Sequence, residues 1–328
     1  MKKGEVIIDE KRCFGCGYCV EFCPGNCLER NLDRVSQLGH AVPVFAKPET
    51  CTTCGTCARI CPRWAIAVNR CFEEQGGVTK EKVAAISLDP PLSGCPGCQH
   101  PTVGRIVAEA ITELRLTEKV IALDAIPCAI SAAFDMNYGH PLVYGEKGPD
   151  IATEMKRSAP DTMVVLVQGY WGLSDFSLDL NALLGALVRG EKITVILCNM
   201  PFYGPKDGRP VPLEEPIEGR LEPTTRITTE RGQKLIVGGY PLHVAELAAT
   251  FKGVTYSARG AITSLKDYNV TKGYVKTALQ NQLDNASLSL VEILCTCSDP
   301  AYSSPVESLK WVRDRMTVEF PLGIFKKS

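Results

Sequence analysis

The 328-residue chain lacks an excess of either charge: 36 Lys and Arg stand against 37 Asp and Glu, for a net charge of -1. A protein that neutralises nucleic-acid phosphates carries a basic patch or stripe, so nucleic-acid binding is excluded as a main activity. Long hydrophobic runs are also missing. Every apolar stretch is broken by Gly, Pro or a charge well before the ~18 residues that a membrane-spanning helix needs, so no membrane role is expected. The opening residues MKKGEVIIDE have no apolar core of a signal peptide, and a reducing, cytoplasmic setting is the expectation. No Gly-x-Gly-x-x-Gly follows any strand candidate, which argues against a nicotinamide or flavin site. Cysteine, by contrast, is abundant, with 16 residues. A chain in reducing surroundings keeps so many thiols for metals or redox chemistry rather than for disulfides.

Nine of the 16 fall between residues 13 and 61, and eight of these form two copies of one pattern, C-x2-C-x2-C-x3-C-P. The first copy is Cys13, Cys16, Cys19 and Cys23-Pro24, and the second is Cys51, Cys54, Cys57 and Cys61-Pro62. Four thiolates also suit zinc, but zinc sites come as paired CxxC knuckles without the third Cys and the trailing Cys-Pro. The doubled pattern is that of two [4Fe-4S] clusters in which the fourth cysteine of each copy ligates the other cluster. On that pattern Cys13, Cys16, Cys19 and Cys61 hold one cluster, and Cys51, Cys54, Cys57 and Cys23 hold the second. Gly15, Gly17 and Gly55 lie between ligands, where the backbone must pass close to inorganic sulfide. Cys27 and Cys71 fall outside the pattern and read as packed thiols. Residues 5–70 resemble bacterial two-cluster ferredoxin domains, and VIIDEKRCFGCGYCVEFCP is especially similar to the ferredoxin-type component of 2-oxoacid:ferredoxin oxidoreductases.

Three units are expected: residues 1–72 as a small α+β ferredoxin-like domain, 73–92 as a linker mixing charge with a Gly and a Pro pair, and 93–328 as a large α/β domain. In the last, PTVGRIVAEAITELRL (101–116) has helical spacing, and KVIALDAI (119–126), TMVVLVQG (162–169) and KITVILCN (192–199) are continuously apolar. Such runs suit strands buried on both faces of a parallel sheet. LSDFSLDLNALLGALVRG supplies a crossover helix between the last two, and 242–251, 253–260, 275–284 and 288–295 repeat the helix-strand alternation.

GCPGCQH (94–100), AIPC (125–128), ATEMK (152–156), NMPFYG (199–204), YSARG (256–260) and EILCTC (292–297) stand in the order and approximate spacing of the thiamine-diphosphate-binding beta subunit of 2-oxoacid:ferredoxin oxidoreductases. The resemblance covers 93 to about 300. It implies a thiamine-diphosphate-binding fold, a parallel sheet flanked by helices, and a third [4Fe-4S] cluster on Cys95, Cys98, Cys128 and Cys297. Zinc or unrelated buried thiols are the alternatives for this set. Cys295 is a less favoured ligand, because it occupies a non-cysteine position of the family, and Cys198 reads as a packing residue. The resemblance also implies Mg2+ holding the diphosphate, with Asn199, Tyr203 and Gly204 at the later part of the site. The family's earlier Gly-Asp-Gly is replaced by Gln168-Gly169-Tyr170-Trp171-Gly172. Gln168 or Gly172 takes the place of the aspartate, with Asp175 as a substitute from the following loop. A neutral amide loses a full charge of attraction for Mg2+.

Two functions therefore stay open. One is oxidative decarboxylation of a 2-oxoacid, with electrons passing through three [4Fe-4S] clusters to ferredoxin. The other is a non-catalytic electron-transfer subunit on a degenerate thiamine-binding fold. The resemblance implies alpha-type and gamma-type partner subunits, a ferredoxin or similar acceptor, and handling under anaerobic conditions. Which 2-oxoacid is used, and whether CoA takes part, is not written in the sequence.

Overall fold

The computed structural model describes residues 4–36, 39–74, 77–84, 96–125, 147–170, 180–199, 225–228, 234–237, 242–296 and 304–328. The N-terminal unit runs β1 (Gly4–Ile8), α1 (Tyr18–Glu21), β2 (Leu28–Val35), β3 (Ala41–Phe45), α2 (Thr56–Ile60), β4 (Ile66–Glu74) and β5 (Gly77–Ala84). β1 and β5 flank β4 antiparallel, and β2 and β3 pair as a separate two-stranded ladder. The expected linker at 73–92 thus begins too early. β4 continues to Glu74 and β5 returns along it, because a charged edge strand such as GVTKEKVA needs only one partner ladder.

The large unit follows as α3 (His100–Glu113), β6 (Val120–Ala125), α4 (Gly148–Ser158), β7 (Met163–Tyr170), α5 (Leu180–Arg189), β8 (Thr194–Asn199), β9 (Thr225–Thr228), β10 (Lys234–Val237), α6 (Val244–Ala249), β11 (Val254–Ala261), α7 (Leu265–Leu283), β12 (Leu288–Leu294), α8 (Pro305–Trp311) and β13 (Gly323–Lys327). Six strands form one sheet in the order β13-β11-β12-β8-β7-β6, parallel throughout except for the antiparallel edge strand β13. β9 and β10 form a separate hairpin. β8 and β12 are buried along their whole length, which is why their sequences are continuously apolar rather than alternating. Among the described residues no helix is long and apolar enough to cross a membrane.

The period-2 alternation of side chains divides the core into two layers. On one face Val165, Val167, Ile196, Cys198, Val291 and Ile293 pack with α3 and α7, and Tyr18, Ile60 and Trp64 of the N-terminal unit join the same layer. On the other, Leu166, Val195, Leu197, Leu288 and Leu290 pack against Leu183 and Leu187 of α5 and Val244, Ala245 and Ala248 of α6. The N-terminal unit is therefore built into the core of the large one. Arg105 of α3 donates to the Ala58 carbonyl of α2 and lies 5.1 Å from the Trp64 ring centroid.

Candidate functional site

α1 and α2 occupy equivalent places in the two cysteine copies, and each is preceded by a glycine in the left-handed region, Gly17 at φ 83° and Gly55 at φ 72°. That conformation turns the backbone around the preceding thiol at little cost only without a Cβ. The chain folds so that the thiols group across the copies. Cys13 and Cys16 each feel Cys61, and Cys19 feels Cys16, Cys61, Cys57 and Cys13. Cys57 feels Cys54, Cys23 and Cys51. Burial, followed by neighbouring thiols, pushes Cys16 and Cys57 up to about 12. Burial would also raise Cys54, but hydrogen bonds from Thr56 and Thr52 hold it below its usual value. Backbone amides point at the sulfurs: Gly15 N lies 3.3 Å from Cys13 Sγ, Ala65 N 3.3 Å from Cys61 Sγ, and Cys27 N 3.4 Å from Cys23 Sγ. Cys23, Cys51, Cys54 and Cys57 line one pocket, which Cys27 lines as well. Four sulfurs per group, with backbone donors already aimed at them, fit an iron–sulfur cluster.

The first thiol group is tied to the carboxyl edge of the large sheet by Tyr18, which is fully buried. Its hydroxyl donates to the Gly97 carbonyl at 2.7 Å and lies 2.9 Å from Thr296 Oγ1, itself 2.7 Å from the same carbonyl. Gln99 completes the clasp: its side chain donates to Ile262 O at 2.8 Å and accepts from Thr296 N at 2.9 Å. This places Cys98 beside the ends of β11 and β12. Of the four residues expected at the third cluster, Cys98 is described and buried; Cys95, Cys128 and Cys297 lie outside the described residues. Cys98 Sγ is 3.5 Å from His100 Nδ1, and the ligand atoms of His100, Cys198 and Cys295 lie within 4.8 Å of one another. Burial lowers His100 to about 4, so its imidazole is neutral. Sequence reasoning kept Cys295 as a less favoured ligand beside Cys98 but read Cys198 as a packing residue, and so did not gather the three. The signal was the neighbouring register of β8 and β12, with Cys198 opposite Ile293, which a single strand pattern does not reveal.

On the opposite face of the same edge lies a polar row. Asn199, at the end of β8, is buried, and its Nδ2 donates to Glu292 Oε1 at 2.6 Å. Glu292 Oε2 accepts from Arg259 Nε at 2.9 Å and from Ala245 N at 3.1 Å. Burial holds the Glu292 carboxyl above its usual value against the pull of Arg259. Arg259 also donates to Glu246 and to the Pro321 carbonyl and lies near the Phe320 and Phe325 rings. Gln168 is buried, with Nε2 3.5 Å from the Ala125 carbonyl and Oε1 against Gly148 at the start of α4. Gly169 is buried beside it on β7. Gly172, Asp175, Tyr203 and Gly204 lie outside the described residues.

A chain whose first 84 residues gather thiols in two crossed groups is a two-cluster iron–sulfur protein in class, and residues 12–65 match the 4Fe-4S dicluster domain family. This segment is 38% identical to an uncharacterized ferredoxin of Methanocaldococcus jannaschii over 65 residues, 19% of this chain and 92% of that one. The N-terminal unit belongs to the two-cluster [4Fe-4S] ferredoxins. Across most of its length the chain is homologous to 2-oxoacid oxidoreductase subunits. It is 27% identical to the ketoisovalerate oxidoreductase subunit VorA of Methanothermobacter thermautotrophicus over 255 residues, 78% of this chain and 50% of the relative. The 2-oxoglutarate oxidoreductase subunit KorB of Mycobacterium tuberculosis is 28% identical over 137 residues, 41% of this chain and 36% of its own. The chain spans about half the length of the VorA relatives it matches. A solved 2-oxoglutarate:ferredoxin oxidoreductase from Magnetococcus marinus aligns at TM-score 0.46 and 18% identity, over 74% of this chain and 83% of that one.

Proposed function

We propose that the chain is the iron–sulfur and thiamine-diphosphate-binding subunit of a 2-oxoacid:ferredoxin oxidoreductase. It would work in the cytoplasm with alpha-type and gamma-type subunits that complete the active site. The observation that carries this reading is the Tyr18 clasp, which sets the first thiol group against the sheet edge where Cys98, Cys295 and Asn199 gather. Bound thiamine diphosphate supplies the decarboxylating chemistry, and each cluster accepts one electron at a time.

The chain's own residues do the holding and the insulating. Cys13, Cys16, Cys19 and Cys61 would ligate one cluster, Cys51, Cys54, Cys57 and Cys23 a second, and Cys98 with Cys95, Cys128 and Cys297 a third. Asn199, with Asp175 and the segment at Gln168, Gly169, Gly172, Tyr203 and Gly204, would hold Mg2+ and the diphosphate. A carboxamide oxygen suits a hard cation. Burial of Tyr18, α3 and β12 around Cys98 would keep water from the route between the clusters.

The test is 2-oxoacid-dependent reduction of ferredoxin by the complex purified without oxygen, assayed with and without CoA across a panel of 2-oxoacids. Reduction with at least one of them is expected. No reduction, with clusters intact, would favour the second reading, an electron-transfer subunit on a degenerate thiamine-binding fold. The neutral residue at the aspartate position, Gln168 or Gly172, is what speaks for that alternative.

A further inference from the structure

The sheet register sets four polar side chains across one face. Glu292 of β12 is opposite Arg259 of β11 and Leu197 of β8, Gln168 of β7 is opposite Leu197, and Asn199 stands two residues further along β8. Arg259 and Glu292 are both fully buried. A buried ion pair of this kind is costly unless every donor and acceptor is used, and here each Glu292 oxygen has its own task. Oε2 takes two N–H donors, from Arg259 and the Ala245 backbone, whereas among the described residues Oε1 takes only the Asn199 amide. Arg259 is in turn anchored by Glu246 and the Pro321 carbonyl.

We propose that Glu292, anchored by Arg259, is the positioning residue that decides which end of the Asn199 carboxamide is offered to the ligand site. This rests on the reading of Asn199 as a ligand of the diphosphate's metal. A carboxylate has no proton to give, so it can be met only by the NH2 end of Asn199. That leaves Oδ1, the end able to ligate a cation, as the one not committed to Glu292.

Replacing Glu292 by Gln inverts this logic. The oxygen of the introduced amide must remain where Arg259 and Ala245 donate, so its NH2 faces Asn199. Asn199 then turns Oδ1 toward that NH2 and presents its own NH2 to the site, which repels a cation. The isosteric swap N199D/E292Q undoes the inversion, because the introduced NH2 donates to one oxygen of the new carboxylate and the second oxygen faces the ligand. The swap also keeps the charge of the pair, so it carries the test even where E292Q alone fails to fold.

The experiment is Mn2+ titration followed by EPR, with thiamine diphosphate present, on the anaerobically purified complex carrying wild type, N199A, E292Q or N199D/E292Q. Iron content and thermal unfolding serve as folding controls. E292Q is expected to weaken Mn2+ binding about 10- to 100-fold, the usual effect of removing a partner that orients a ligand. The swap is expected to restore it to the wild-type level or tighter. Loss in N199A with E292Q binding as wild type, or a swap no better than E292Q, would overturn the positioning role alone. Wild type and N199A binding alike, or wild type binding none, would overturn the reading of Asn199 beneath it.

Discussion

Tyr18 joins two parts of the chain 79 residues apart with one hydroxyl. Its replacement by Phe keeps the ring in the core and removes one hydroxyl, while Thr296 and the Gly97 carbonyl still bond each other. A cost of about 1 kcal/mol is expected, seen as a lower thermal unfolding midpoint with wild-type iron content. Arg259 is the larger case. Arg259→Met leaves Glu292 buried without its cation and should cost about 3–5 kcal/mol; a melting temperature close to wild type would contradict the buried ion pair. Neither partner was legible in the sequence. Tyr18 sits inside a cysteine motif that already had a meaning, and YSARG, which carries Arg259, does not name the carboxylate it pairs with. In both cases the deciding partner is brought in by sheet register or by docking, which no local pattern encodes.

The elements themselves were legible where burial is two-sided. The strands at β7, β8 and β12 appear as continuous apolar runs because helices cover both faces, and α3 follows its apolar stripe. Less legible were β5 and β13, edge strands whose half-exposed or charged sequences carry no strong period, and the first ten residues of α7. That helix starts at Leu265 because Ser264 caps it by accepting from Asp267 N at 3.0 Å. The cysteine pattern and the resemblance named candidate ligands for all three clusters, and of the third set only Cys98 lies among the described residues. One close crossing also gives a prediction for the element scale. A Cβ on Gly253, just before β11, would collide with the Leu187 carbonyl and the Gly190 backbone at the end of α5. Gly253→Ala should therefore destabilise by about 1–3 kcal/mol, measured as faster thermal inactivation with unchanged cluster spectra.

At the scale of the whole molecule, the sheet separates two sets of chemistry along one carboxyl edge, the usual place for ligands in parallel α/β sheets. Thiols and His100 lie on the face shared with the ferredoxin unit, and the Asn199, Glu292 and Arg259 row lies on the other. Crossed ligation has a consequence that can be counted. If Cys16 and Cys61 serve one cluster, the double variant C16S/C61S should lose about 4 of about 12 irons, no more than either single variant. Loss of about 8 would mean that the two cysteines serve different clusters.

The central claim, that one chain unites a thiamine site with the clusters, is tested most directly by cofactor content. The complex is purified without oxygen with its native partners, and thiamine diphosphate, Mg2+ and iron are measured by acid extraction and mass spectrometry. One thiamine diphosphate and one Mg2+ per chain, with about 12 irons, is the predicted result. No thiamine diphosphate beside a full complement of iron would contradict it and leave an electron-transfer subunit built on the same sheet.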